Sequence, residues 1–203
     1  MGPRNIFVAA VAVIAIATGA WLSYKMAAPP AQPRVATLLP GGVELPEFSL
    51  LDHTGSPIDR TVFDGHWNLV FFGFTHCPDI CPITLQVLAN AQRTLAEDGR
   101  DDLPRIVLVS VDPERDTPEI INKYVSHFGQ DSVGITGELE EIRKLTDGLG
   151  VFFEKAGDGD DYSVDHSSVV IVVNPDGQFH ALFGTPHVAE EFTHDLPLLM
   201  SAY

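Results

Sequence analysis

The stretch WNLVFFGFTHCPDICPIT, residues 67–84, constrains the fold of this chain more than any other part of the sequence. Residues 68–74 form an almost unbroken apolar, β-rich run, which predicts a strand covered on both faces. The run ends at Thr75, and both cysteines of the chain, Cys77 and Cys81, follow directly. Open α/β sheets bind their ligands at the carboxyl ends of the strands. The sequence therefore places two thiols where a functional site is expected.

Pro82 limits how the chain continues after this strand. Proline lacks an amide N–H and clashes with a preceding helical turn, so it is tolerated only in the first turn of a helix. The next helix must then begin around residues 78–81, with Cys81 at its N-terminus and Cys77 in the turn before it. Free backbone N–H groups and the helix dipole at such a position favour a thiolate over a thiol.

The composition limits the domain count and the kinds of partner. A chain of 203 residues with 45% apolar residues has room for one domain of ordinary size and an appendage. The formal net charge of −16 at pH 7 argues against binding nucleic acid, whose phosphates need Lys and Arg. Two cysteines cannot form a disulfide scaffold in a chain of this length, so a redox or metal-binding role is more economical than a single stabilising disulfide.

Residues 6–22 form a long apolar segment near the N-terminus. At about 1.5 Å per residue, a helix of this length spans roughly 26 Å, which is just enough to cross a bilayer. Trp21, Tyr24 and Lys25 follow at the height where aromatic and cationic anchors lie. We predict a membrane anchor over residues 1–26. The alternative is a cleaved signal peptide, which is usually shorter and more strongly charged at its start.

The rest of the chain is predicted to be a spacer followed by one α/β domain. Residues 27–46 are rich in proline and glycine, which disfavours both helix and sheet and predicts a semi-extended tether. The globular domain is expected over residues 47–203, with elements in the order β-β-α-β-α-α-β-β-β-α. Its last two strands are joined by an Asn-Pro-Asp-Gly turn at residues 174–177, which predicts an antiparallel hairpin.

A third ligand is needed if the two thiols bind a metal. Two thiolates and one imidazole form a soft site of low coordination number that suits copper, whereas structural zinc usually takes four protein ligands. Among eight histidines, His166 is preferred because it lies in a polar loop before a buried strand and because Asp165 would orient it. His76 is the alternative, although successive side chains tend to diverge. Disulfide exchange by the cysteines alone is not separated from metal binding by these residues, and the CxxxC spacing favours metal only slightly.

Three acidic residues after the next predicted strand, Asp112, Glu114 and Asp116, offer a second arrangement of possible metal ligands. They precede a predicted helix that starts with a threonine and a proline, and helix starts attract such residues. We interpret them as helix capping and a solvated turn.

Three motifs, FGFTHCPDICPITL, VSVDPERDTPE and VDHSSVVIVVNPDG, together resemble the SCO/SenC family of membrane-anchored copper chaperones for cytochrome c oxidase. The resemblance extends from about residue 43 to the C-terminus. It implies a thioredoxin-like fold with an N-terminal β extension, preceded by a single transmembrane helix and the proline-rich tether. It also implies that Cys77, Cys81 and His166 bind copper as Cu(I) or Cu(II).

The resemblance further implies a client, the dinuclear CuA centre of oxidase subunit II, served by copper transfer, by reduction of that subunit's cysteines, or by both. Another copper chaperone or a thioredoxin-like reductant is a candidate partner. The expected location is the inner membrane, crossed once, with the soluble domain in the bacterial periplasm or the mitochondrial intermembrane space.

Three other functions stay open from the sequence. The first is a thiol-disulfide reductase that acts on subunit II through Cys77 and Cys81 without copper delivery. The second is a peroxiredoxin-like peroxidase, which is disfavoured because Thr75 lies two rather than three residues before Cys77. The third is a copper or redox sensor with no delivery role.

Overall fold

The computed structural model describes residues 2–27, 31–129, 131–157, 159, 162–201 and 203. The chain divides into two compact units, Met1–Gln32 and Pro33–Tyr203. In the first unit, helix α1 covers Pro3–Ala27, and its segment Pro3–Ser23 is long and apolar enough to cross a membrane. The long apolar segment predicted near the N-terminus is therefore helical.

The described part of the second unit contains ten strands, one 3-10 turn and four α-helices. Its strands are β1 Thr37–Glu44, β2 Leu50–Asp52, β3 Pro57–Ile58, β4 Asn68–Gly73, β5 Arg105–Ser110, β6 Val133–Thr136, β7 Phe153–Ala156, β8 Ser163–His166, β9 Val170–Val173 and β10 Gln178–Phe183. Its helices are a 3-10 turn at Arg60–Phe63 and the α-helices α2 Ile80–Glu97, α3 Pro118–Val125, α4 Leu139–Leu149 and α5 Ala189–Ser201.

Eight of these strands form one mixed sheet, the main sheet, in the order β1-β10-β9-β4-β5-β6-β2-β3. Strand β5 runs parallel to both of its neighbours, and the other pairs are antiparallel. The hairpin predicted around the Asn-Pro-Asp-Gly turn is present as β9 and β10. Strands β7 and β8 pair with each other in a separate two-stranded sheet.

Strand β4 lies in the middle of the main sheet, between β9 and β5. All of its residues are buried, and Leu69–Phe72 are no more than 1% exposed. Because successive side chains of a strand point to opposite faces, both faces of β4 are covered. The buried central strand predicted from the sequence is confirmed.

Helix α2 follows β4 after a short turn. It begins at Ile80, so Pro82 lies in its first turn, as predicted. Its buried side chains recur every three or four residues and form one apolar face; they are Cys81, Thr84, Leu85, Leu88, Ala91 and Leu95. This face carries Cys81 into the core at the carboxyl end of β4.

The prediction that residues 27–46 form neither helix nor sheet is wrong for Thr37–Glu44. This segment is β1, an edge strand that pairs with β10. Its register shifts between Leu38 and Val43, where Gly41 and Gly42 have positive φ angles of 84° and 66°. A neighbouring strand therefore supplies hydrogen bonds to a segment that composition alone makes irregular, and glycine permits the bulge. Residues 28–30 of the predicted tether lie outside the described part of the chain.

Candidate metal centre

Three donor atoms from distant parts of the sequence converge at the carboxyl end of β4. They are Sγ of Cys77, Sγ of Cys81 and a ring nitrogen of His166, and all lie within 4.8 Å of one another. Two ligands of one ion lie at most two bond lengths apart, about 4.6 Å for bonds of about 2.3 Å. The three atoms are therefore close to the spacing that a single ion requires. Among the described residues, no other group of three or more His, Cys, Asp or Glu side chains lies close enough together to hold one metal ion.

The two cysteines occupy different environments. The amide of Cys77 donates a hydrogen bond to the carbonyl of Phe74, which closes the turn after β4. Cys77 is partly exposed, whereas Cys81, the second residue of α2, is fully buried, and both are free thiols. The amide of Cys81 donates a hydrogen bond to Sγ of Cys77 at 3.4 Å. Cys77 is thus the cysteine that a partner molecule reaches first.

The prediction that the helix N-terminus favours a thiolate at Cys81 is wrong for the metal-free thiol. Burial raises the pKa of Cys81, and Cys77 and Asp116 act in the same direction, while a hydrogen bond from the backbone of Phe74 opposes them. A buried anion is costly because it loses its hydration. A bound cation would remove that cost, so the site favours a proton or a metal ion on this sulfur.

His166 presents one ring nitrogen to the cysteines. It is the last residue of β8, and its Nε2 lies 3.4 Å from Sγ of Cys81. Its Nδ1 lies 3.1 Å from the carbonyl oxygen of Ser167, so Nδ1–H donates there and leaves the lone pair on Nε2. Burial lowers the pKa of His166, so the imidazole is neutral at neutral pH. The polar loop predicted here is a strand, and the carbonyl of Ser167 provides the orienting hydrogen bond that was expected from Asp165.

Two aromatic rings fix the plane of the imidazole. Phe71 and Phe74 pack edge-on against His166, with ring centroids 5.8 Å and 5.9 Å away. His76, the alternative ligand considered from the sequence, is exposed and lies beside Thr75 instead. The structure therefore brings together Cys77, Cys81 and His166 and leaves His76 out of the group.

A buried carboxylate next to the site was missed by the sequence interpretation. Asp116 and Asp112 are 0% and 3% exposed, so the interpretation as a solvated turn is wrong for both. Asp116 accepts hydrogen bonds from the amide and hydroxyl of Thr75, at 3.0 Å and 2.5 Å, and from the hydroxyl of Ser110 at 2.7 Å. The order of the strands could have indicated this. Because β4 and β5 are parallel, the residues that follow them lie at the same edge of the sheet, which places Asp116 near the cysteines.

The donor set fits copper better than the hard divalent cations. Sulfur and imidazole nitrogen suit copper, whereas magnesium and calcium take oxygen ligands, and no carboxylate of the described residues belongs to the group of three. A structural zinc site would ordinarily add a fourth protein ligand.

Comparison with known proteins identifies the family and agrees with the fold. The sequence pattern of the SCO1/SenC family matches residues 40–201. This chain belongs to the SCO1/SenC family. Among its relatives, the mitochondrial protein SCO2 homolog of Mus musculus is 38% identical over 177 residues, which cover 85% of this chain and 68% of the relative. A putative copper-binding protein of Stutzerimonas stutzeri is 35% identical over 164 residues and is matched over 80% of both chains.

Solved structures of the family have the same fold. The crystal structure of Arabidopsis thaliana ScoI with copper bound has a TM-score of 0.74 and 35% identity, covering 78% of this chain and 99% of that one. Bradyrhizobium japonicum ScoI with copper bound has a TM-score of 0.67 and 33% identity, covering 77% of this chain and 99% of that one. The predicted family and the α/β, thioredoxin-like fold class are confirmed.

Proposed function

We propose that this protein binds copper through Cys77, Cys81 and His166 and carries it as cargo for the assembly of cytochrome c oxidase. The convergence of these three donors within 4.8 Å supports the proposal most directly. It is also supported by the copper found in the related Arabidopsis thaliana and Bradyrhizobium japonicum proteins. The proposed client is the CuA centre of oxidase subunit II, as the family resemblance implies.

Copper would leave by ligand exchange. Cys77 is the more exposed of the two sulfur ligands, so a thiolate or imidazole of the client would replace it first. Because burial raises the pKa of Cys81, that sulfur takes up a proton when the ion departs. Protonation makes release less reversible, since the ion must displace the proton to return.

A second candidate function is reduction of a disulfide in subunit II. The free thiols, with the Cys81 amide donating to Sγ of Cys77, support it. Cys77 would attack the client disulfide, and Cys81 would then release the client as a dithiol, leaving a Cys77–Cys81 disulfide. The raised pKa of Cys81 disfavours this second step at neutral pH, because the attacking species is the thiolate. Reduction of subunit II would use only the two cysteines, so it does not explain why His166 lies beside them.

We also propose the arrangement of the whole chain. Residues 1–26 would anchor the protein in the inner membrane, residues 27–46 would include the tether, and the copper-binding domain would lie in the periplasm or the mitochondrial intermembrane space. The apolar helix Pro3–Ser23 supports an anchor, although a cleaved signal sequence would have the same properties. Another copper chaperone or a thioredoxin-like protein would reload or reduce the site. The mass of the mature membrane-bound protein tests whether residues 1–26 are retained.

The central experiment compares His166→Ala with His76→Ala in the full-length chain. We expect His166→Ala to weaken Cu(I) binding by about 100-fold or more and to reduce oxidase activity in a complemented deletion strain. His76→Ala is the matched control, because His76 is a neighbouring histidine outside the group of three donors. If His166→Ala binds copper and supports oxidase assembly like the wild type, copper delivery through this site is wrong and the reductase function is favoured.

A further inference from the structure

The hairpin that carries His166 is separate from the main sheet. Among the described strands, β7 and β8 pair only with each other. His166 ends β8, opposite Phe153. The position of the imidazole relative to the cysteines therefore depends in part on contacts between this hairpin and the rest of the domain.

Tyr162, directly before β8, makes several of these contacts. Its hydroxyl donates a hydrogen bond to Oδ1 of Asp112 at 2.5 Å, and its carbonyl accepts one from Nη1 of Arg115 at 3.1 Å. The guanidinium carbon of Arg115 lies 3.7 Å from the centre of the Tyr162 ring, and Nζ of Lys155 on β7 lies at the same distance. Lys155 belongs to the hairpin itself, whereas Arg115 lies outside it. The contact of Arg115 with the ring, together with the two hydrogen bonds, therefore docks the connected end of the hairpin, opposite the end that carries His166.

Asp112 and Arg115 belong to the segment Asp112–Asp116, which we call the brace. Nε of Arg115 donates to Oδ2 of Asp112 at 2.5 Å, so the two side chains fix each other. Burial raises the pKa of Tyr162, and its hydrogen bond to Asp112 adds to the effect. The Tyr162 hydroxyl therefore remains a donor to the brace at neutral pH.

The brace also contacts the cysteine side of the site. Asp116, its last residue, accepts hydrogen bonds from the amide and hydroxyl of Thr75, in the turn that leads to the cysteines. The Arg115 guanidinium lies 5.8 Å from the centre of the Phe74 ring, and that ring packs edge-on against His166. One short segment thus touches both the turn that carries the cysteines and the hairpin that carries the imidazole.

We propose that Arg115 and Tyr162 are positioning residues that hold His166 against the cysteines and thereby strengthen copper binding. This inference rests on the proposed function, in which His166 binds the ion. A ligand that is already in place loses less conformational freedom when the metal arrives. Contacts that orient metal ligands typically change the metal affinity by about 10- to 100-fold.

A double-mutant cycle tests whether Tyr162 acts through His166. Cu(I) affinity is measured by competition with a chromophoric chelator for the full-length wild type, Tyr162→Leu, His166→Ala and the double variant. We expect Tyr162→Leu to weaken binding by about tenfold when His166 is present and by less than about twofold when it is alanine. Equal losses in both backgrounds, or no loss in either, would overturn the proposal.

Conservative variants and a matched tyrosine sharpen the test. Tyr162→Phe keeps the ring and loses the hydrogen bond to Asp112. Arg115→Lys keeps the charge and loses the planar guanidinium group. We expect each variant to weaken Cu(I) binding less than Tyr162→Leu does. These variants also serve if Tyr162→Leu does not fold. Tyr203→Leu is the control, because Tyr203 packs on Trp67, the residue before the amino end of β4, whereas the site lies at the carboxyl end. A loss with Tyr203→Leu as large as with Tyr162→Leu would contradict a specific role.

A measurement without metal separates this proposal from the proposed function. Hydrogen exchange of the amides in Ser163–His166 is followed in the reduced, metal-free protein. We expect faster exchange in Tyr162→Leu, with the amides of β4 unchanged, because only the docking of the hairpin is weakened. Unchanged exchange in β8 would overturn the positioning role. Equal copper affinity of wild type and His166→Ala would instead overturn the proposed function.

Discussion

Nε2 of His166 lies 3.4 Å from Sγ of Cys81, although 85 residues separate them in the sequence. Cys81 is placed by the first turn of α2, and His166 by the end of a hairpin outside the main sheet. Neither element contains the site alone. Changes that alter how the two elements meet should therefore affect copper binding even where they leave all three donors in place.

Gly73→Ala should disturb the site from within β4. An added Cβ would lie 2.9 Å from Sγ of Cys81 and 2.9 Å from Cε1 of Phe71, closer than such contacts allow. We expect a loss of about 1–3 kcal/mol in the free energy of unfolding, with weaker Cu(I) binding, because Cys81 must move. Denaturant unfolding and chelator competition measure the two effects. Gly184→Ala is the matched control, since its Cβ would meet no atom within 4 Å; equal effects of the two variants would contradict the explanation.

Asp116→Asn should loosen the turn that leads to the cysteines. The variant replaces an acceptor of three hydrogen bonds with an amide that also presents donors to Thr75 and Ser110. We expect a loss of about 1–3 kcal/mol in the free energy of unfolding and weaker copper binding. Asp79→Asn separates charge from hydrogen bonding, because Asp79 is an exposed carboxylate near Cys77 that makes no side-chain cap. If both variants weaken copper binding equally, the charge of Asp116 and not its hydrogen bonds is responsible.

Cu(I) affinity should rise with pH. Burial raises the pKa of Cys81, so the metal-free thiol is protonated near neutral pH and copper must displace that proton. The affinity should increase about tenfold per pH unit for each thiol proton released. The pKa of His166 is lowered by burial, so the imidazole should add no slope between about pH 7 and pH 8. An affinity independent of pH in this range would show that Cys81 is already a thiolate.

Asp195 should contribute stability that is lost in acid. Its carboxylate is fully buried in α5 and accepts hydrogen bonds of 2.8–2.9 Å from the amides of Arg34, Val35 and Ala36. Burial alone would raise the pKa of Asp195, but these amides and His194 together lower it. The contribution is therefore present above the unfolded pKa of about 3.9 and disappears as the pH falls through the lower folded value.

Asp195→Asn measures that contribution. We expect the variant to lose about 1–3 kcal/mol in the free energy of unfolding at pH 7. The difference from wild type should shrink below about pH 4, as the wild-type carboxyl becomes protonated. Denaturant unfolding across this range provides the test, and a difference that stays constant down to about pH 2 would be inconsistent with the mechanism.

Much of the fold followed from local patterns. The unbroken apolar run of β4 required burial on both faces, and Pro82 required the helix start that places Cys81. The same reasoning failed for β1, where proline and glycine indicated a spacer. Hydrogen bonds from β10, a strand more than a hundred residues later, decide that segment's structure.

The sequence by itself determined the family, the central strand and the start of α2, and it predicted Cys77, Cys81 and His166 as the donors. The strand and the helix start depend on residue type and short-range spacing, and the family and the predicted donors depend on motifs that can be read directly from the sequence. Only the tertiary structure decided that Cys81 is buried, that the carbonyl of Ser167 accepts a hydrogen bond from His166, and that Asp116 and Tyr162 make the contacts that join the two halves of the site. Those properties depend on solvent exclusion and on contacts between residues far apart in sequence. Neither can be predicted from a local sequence pattern.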